Sequence, residues 1–178
     1  MNEIYLPPTK AQGKYNGQAL RAFYNAIPNK SIQDDMLRHV GLDEIDPGKW
    51  YDLHLARTIY YGVEQLFGPA TVRLVGKNII ENAVFPAEID SPLSALKSIE
   101  TAYRLNVTGT DLGDVSVKEL DSGRVSLTFS TPFPCLFEKG IMIGCATKFG
   151  AHLRIEHDEQ KCRSQGHDYC EFLVKILA

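Results

Sequence analysis

Near the end of this chain, in "EQKCRSQGHDYCEFLVKI", Cys162 and Cys170 flank a turn at Gly166-His167. Thiols set like this close a disulfide, ligate a metal ion, or pack as small apolar side chains. In a simple hairpin turning at Gly166 the two cysteines face one another, and opposed Cβ atoms lie about 4.5–5.5 Å apart. Two thiolates that close can share one ion. The same register puts Glu156, Asp158 and Gln160 on one face with Phe172, Val174 and Ile176. That mismatch predicts a bulge or a slip in the hairpin.

A third thiol, Cys135, follows "STPFP", where a strand-like run gives way to a helical one. If that strand neighbours the last hairpin, three sulfurs converge. Zinc takes four ligands in a tetrahedron, often several Cys with a His or a carboxylate. His157, Glu159, His167, Asp168, Asp111 and Asp114 are candidates for the fourth place. The C-x7-C spacing differs from the C-x2-C of common zinc knuckles, so spacing alone favours simply packed thiols over a metal site. Cys145, inside "GIMIGCATKFG", reads as a core residue.

Other chemistry is sparse. There is no G-x-S-x-G elbow, Walker A loop, G-x-G-x-x-G or H-E-x-x-H. "LVGKN" lacks a phosphate-cradling loop before its lysine, and "RIEHDEQK" reads as the charged face of an exposed strand rather than an acid–base site. The five histidines, His39, His54, His152, His157 and His167, are expected in ordinary structural roles. None of the residues marks an enzyme by a known motif.

The elements that must place the thiols can be read from periodicity. "GQALRAFYNAI" is helical and stops before Pro28. "SIQDDMLRHVG" is a second helix with Ser31 as its cap, ending at Gly41. "DPGKWYDLHLARTIYYGVEQLFG" predicts a long helix capped by Asp46, with Pro47 at its first position and Gly68 at its end. A fourth helix opens at Pro69, and a fifth at Pro92 behind the cap Ser91. After Gly109 the period falls to two. "DVSVKEL" and "RVSLTFS" are strands joined at "DSG", a helix runs to Gly150, and "AHLRIEHDEQ" and "YCEFLVKIL" are two more strands. The fold class is α+β: N-terminal helices packed on a four-stranded antiparallel sheet, with one helix inserted between strands two and three. Residues 1–16 are an extended lead-in.

The 178 residues suit one domain over 1–178, and 44% hydrophobic with 23% charged residues is ordinary for a globular chain. A net charge of -3 argues against nucleic acid or an anionic membrane as partner. The N-terminal stretch has no apolar signal segment, and no run is long enough to span a membrane, so a cytoplasmic location with reduced thiols is expected.

"EHDEQKCRSQGHDYCEFLV" resembles the C-terminal signature of the vinyl-4-reductase-like domain, and "TPFPCLFEKGIMIGCATKFG" resembles that family's Pro-Cys turn and Gly-rich helix. The match covers roughly residues 113–178. Residues 17–110 resemble more loosely the helical part of a superfamily that includes the haem–nitric-oxide-binding (H-NOX) domains and the TRAPP tethering subunits. The resemblance implies a structural zinc on Cys135, Cys162 and Cys170, with an acidic fourth ligand left open. It also implies a soluble sensor domain for a small apolar ligand, aromatic or tetrapyrrole-like, between helices and sheet. Tyr60, Phe85, Tyr103 and Phe129 are the candidates to line that space. A dimeric scaffold of TRAPP-like fold and an accessory protein of tetrapyrrole biosynthesis are the alternatives, and a homodimer is expected. Haem is not expected. Glu100 stands where an H-NOX helix carries its proximal His, and the stretch "FSTPF" lacks the arginine of the propionate-binding motif.

Overall fold

The structure, a computed structural model, describes residues 3–81, 87–121, 123–158, 160 and 162–177. Among them the chain runs β1 (Gln12–Asn16), α1 (Gly17–Ala26), α2 (Lys30–Val40), β2 (Trp50–Asp52), α3 (Leu53–Phe67), α4 (Pro69–Glu81) and α5 (Pro92–Asn106). It continues with β3 (Val107–Thr110), β4 (Val115–Asp121), β5 (Arg124–Phe129), α6 (Cys135–Lys148), β6 (His152–His157) and β7 (Cys170–Leu177). The α+β class holds, with α6 between the second and third strands of the four-stranded sheet, β4-β5-β7-β6.

The expected layout of one sheet needs correction. A second sheet of three short strands, β2-β1-β3, joins the lead-in, part of the expected third helix and the end of the expected fifth. Tyr15 of β1 lies between Tyr51 and Val107 of its two neighbours. Strands of three to five residues are too short to show an alternating pattern.

The same sheet moves the start of the third helix. Asp46 closes a turn instead of capping a helix: its carboxylate accepts from Gly48 N at 2.9 Å, and Lys49 N donates to its carbonyl at 3.2 Å. Trp50–Asp52 then pairs with β1, and Asp52 is the cap of α3, accepting from His54 N at 2.8 Å. In α2, Asn29 rather than Ser31 holds the cap, accepting from Ser31 N at 2.8 Å. The Ser91 cap of α5 is as expected, strengthened by Ser94 in a reciprocal capping box.

Two apolar cores result. The first gathers α1–α4 with Tyr15, Phe133 and Phe137, and the second lies between α5, α6 and the inner face of the four-stranded sheet. Helix α6 contributes to both, Phe137 to the first and Met142 and Cys145 to the second. It crosses α4 at close range: an added Cβ at Gly140 would sit 2.1 Å from Arg73 O, and one at Gly76 2.3 Å from Phe137 O.

Candidate metal centre

The last hairpin turns differently from a simple hairpin about Gly166. Its register pairs His157 with Phe172, Ile155 with Val174 and Leu153 with Ile176. That slip removes the polar–apolar mismatch, because Leu153, Ile155 and His157 now share the inner face with Phe172, Val174 and Ile176. The surplus residues form a loop containing a 3-10 turn, Arg163–Gln165, which ends on Gly166 in the left-handed conformation at φ 87°. Cys162 therefore leaves the sheet. It precedes the turn, with Gln165 N donating to its carbonyl at 2.8 Å. Cys170 opens β7 opposite Phe129, the last residue of the neighbouring strand.

Chain direction supplies the third sulfur. β5 ends at Phe129 beside Cys170, the segment Ser130–Pro134 turns, and Cys135 is the first residue of α6. The Sγ atoms of Cys135, Cys162 and Cys170 all lie within 4.8 Å of one another, with 3.3 Å between Cys162 and Cys170 and 3.6 Å between Cys162 and Cys135. All three are free thiols; Cys162 and Cys170 are buried and Cys135 half-buried. Cys145 stays apart in the second core, its Sγ against Ala95 O at 3.7 Å, and burial pushes its thiol up to about 12.

Cys135 and Cys170 are linked electrostatically. The hydrogen bond from Cys135 pulls the Cys170 thiol far below its usual range, helped by the backbone N–H and guanidinium of Arg163. The proton stays on Cys135, whose thiol is raised by that same bond and by burial. Further donors converge: Arg163 N points to Cys170 Sγ at 3.4 Å, and Ser164 Oγ to Cys162 Sγ at 3.2 Å. Clustered, deprotonation-prone thiols with N–H and O–H donors around them can hold a soft or borderline cation such as zinc.

Among the described residues no fourth ligand joins the cluster. His157 stacks on Phe172 at 4.3 Å with its Nε2 buried and without a hydrogen-bond partner. His167 and Asp168 are exposed, Asp111 is exposed, and Asp114 is engaged by Arg104 at 2.9 Å. Glu159 lies outside the described residues.

Sequence reading missed the buried ionic network beside the sulfurs. Glu138, one turn along α6 from Cys135, is 3% exposed; it accepts from Thr131 Oγ1 and pairs with Arg163. Burial pushes its carboxyl up to about 7 against the opposing pull of Arg163 and Thr131. The signal was present in "CLFE" and "KCRS", where an acid and a base each keep step with a cysteine.

The four aromatic candidates do not come together. Tyr60 is wholly buried in the first core, stacked on Phe23 at 3.8 Å, with its hydroxyl 2.7 Å from that of Tyr15. Phe129 is wholly buried in the second core, edge-on to Phe172. Tyr103 packs against both cores and donates to Leu112 O. Phe85 lies outside the described residues.

No protein-family model and no curated sequence matches the chain. Solved structures do. An H-NOX protein from S. oneidensis in the Fe(II)NO ligation state aligns with a TM-score of 0.71 and 18% identity, over 92% of this chain and 99% of its own. A mutant of T. tengcongensis H-NOX gives 0.67 and 16% over 90% and 97%, and the Fe(II) unliganded H-NOX protein from K. algicida gives 0.66 and 13% over 92% and 97%.

These neighbours correct the expectation that haem has no place. Two of the matching H-NOX structures are of Fe(II)-ligated proteins, so lacking a histidine and an arginine from two short motifs is no ground to exclude haem. The described interior has its own character: Phe23, Tyr60, Phe133 and Phe137 pack ring on ring, and the buried residues there include no histidine. From the helical layer through the inserted α6 to the final hairpin, the chain shares its fold with these H-NOX proteins.

Proposed function

We propose that this chain is a ligand-binding sensor domain, one unit over residues 1–178, whose final hairpin is fastened by a structural zinc on Cys135, Cys162 and Cys170. The observation that carries the metal part is the convergence of three sulfurs from two separate segments within 4.8 Å. Three thiolates and one further protein ligand leave zinc no open position, which suits structure rather than catalysis. The thiol spacing is that of the vinyl-4-reductase-like branch, to which we assign the chain within the superfamily. The fold shared with H-NOX proteins over nine-tenths of the chain supports the sensor part. The ligand is small and largely apolar, of aromatic or tetrapyrrole class, at the junction of helices and sheet. Of the three described aromatic candidates, Tyr103 is best placed to meet it, half-buried between the two cores.

Native mass spectrometry and solvent extraction of the purified protein, with haem titration alongside, test this reading. The expected result is a stoichiometric small molecule, either copurified or taken up. An empty protein that takes up nothing and buries a large apolar face against a second copy would replace the sensor with the scaffold reading.

A homodimer is the expected assembly, because α1–α5 are amphipathic helices and two-fold dimers are the commonest oligomers. Sedimentation at micromolar concentration checks it; a single monomeric species would refute it. None of the helices described is long and apolar enough to cross a membrane.

A further inference from the structure

Arg163 sits directly after Cys162, yet its side chain turns inward and is only 14% exposed. Nη1 donates to Thr131 Oγ1 at 3.2 Å and Nη2 to Glu138 Oε2, so two arms of the guanidinium are held by the turn before Cys135 and by α6. Its backbone N–H points at Cys170 Sγ at 3.4 Å. The third guanidinium nitrogen, Nε, is buried and has no hydrogen-bond partner. A buried ion pair is a weak source of stability, and a buried N–H left unpaired costs free energy. Fastening the hairpin turn to α6 could be done by apolar contact. An arginine with a donor to spare needs a second reason.

The sulfurs supply one. Three thiolates around a divalent cation carry a net negative charge, and water is largely excluded from Cys162 and Cys170. Outer partners that donate to ligating atoms and balance their charge tune metal affinity. We propose that Arg163 is a positioning residue of the sulfur centre: fixed by Glu138 and Thr131, it sets the 3-10 turn that aims Cys162 and points its backbone N–H at Cys170 Sγ. This rests on the metal-centre reading above. Glu138 is the hand that holds Arg163, not a ligand.

The test compares native protein, Arg163→Gln, and the double variant Glu138→Gln with Arg163→Gln, all full length. Zinc affinity is read by competition with a chromophoric chelator and fold by thermal melting. The single variant strands a buried carboxylate and is at risk of misfolding. The double variant removes both charges, leaves a neutral polar side chain at each position, and is expected to melt close to the native protein when both are stripped of metal. Its zinc affinity is nevertheless expected to be about 10–100-fold weaker. If the double variant binds zinc within about threefold of native, Arg163 is only the partner of Glu138 and the inference is wrong. If native protein itself binds no zinc, the metal-centre reading fails and takes this inference with it, an outcome distinct from variants that bind as native does.

Discussion

Cys162→Ser and Cys170→Ser should each release the bound zinc and lower the melting temperature by about 10 °C or more. A serine in a buried thiol's place costs about 1–2 kcal/mol through the hydroxyl it introduces. In a chain of this size about 1 kcal/mol moves the midpoint by ~2–4 °C, so that effect alone gives a shift of a few degrees. Loss of a structural metal costs more. Binding free energy for such an ion is folding free energy, of order 10 kcal/mol where it has been measured in small zinc domains. Cys145→Ser supplies the internal control: it is as buried as the others, at 1% exposure, and lies outside the cluster, so it should keep its zinc and show only the small loss. A strong chelator should reproduce the two cluster variants on native protein. Purified protein without metal, and a melting curve indifferent to chelator, would return the three thiols to simple packing.

The second large effect belongs to Gly140→Ala, at the crossing of α4 and α6. Two opposing contributions must be weighed. Alanine in a helix interior is favoured over glycine by about 1 kcal/mol. Against that, the new methyl would lie 2.1 Å from Arg73 O and 3.0 Å from Gly76 Cα, both backbone atoms that no side-chain rotation can move. The helices must separate, and forced repacking costs about 1–3 kcal/mol or more. Separation also pulls Cys135, at the N-terminus of the displaced helix, away from its two partners. The clash is expected to win, with a net loss of at least ~2 kcal/mol in denaturant titration and weaker zinc binding; Gly140→Val should fail to fold. Gly48→Ala, where the nearest atom is Asp46 Oδ1 at 3.4 Å, should be nearly silent. Equal behaviour of the two alanine variants would mean that the helices are not so closely apposed.

What the sequence showed, and what it hid, follows from the range of the interactions. The helices of α1 to α6 were legible because their stripes and caps are local: Ser91 with Pro92, Pro69, and the stop at Gly41 all lie within a turn of what they govern. The three-stranded sheet was not legible, since Tyr15, Tyr51 and Val107 meet only through the tertiary fold. The mismatch of Glu156 against Ile176 correctly announced a slip in the hairpin, but its size depended on the loop around Cys162. Spacing alone could not tell clustered thiols from packed ones. The resemblance named the three, and the fold brings their sulfurs together. The haem expectation failed for a different reason: it treated two residue positions as a test of the whole fold.

Helix α6 has one more consequence, for how the molecule opens. It is wedged between α4 and α5 and supplies side chains to both cores, with Ile141 in contact with each. Backbone amides exchange with solvent through partial openings only where an element can detach without breaking the rest. Short β2 at the rim of its sheet can do that; α6 cannot leave without exposing both interiors. Its central amides should therefore be among the slowest to exchange in the chain, reporting the free energy of complete unfolding. The two cores, distinct in space, would then share a single cooperative transition.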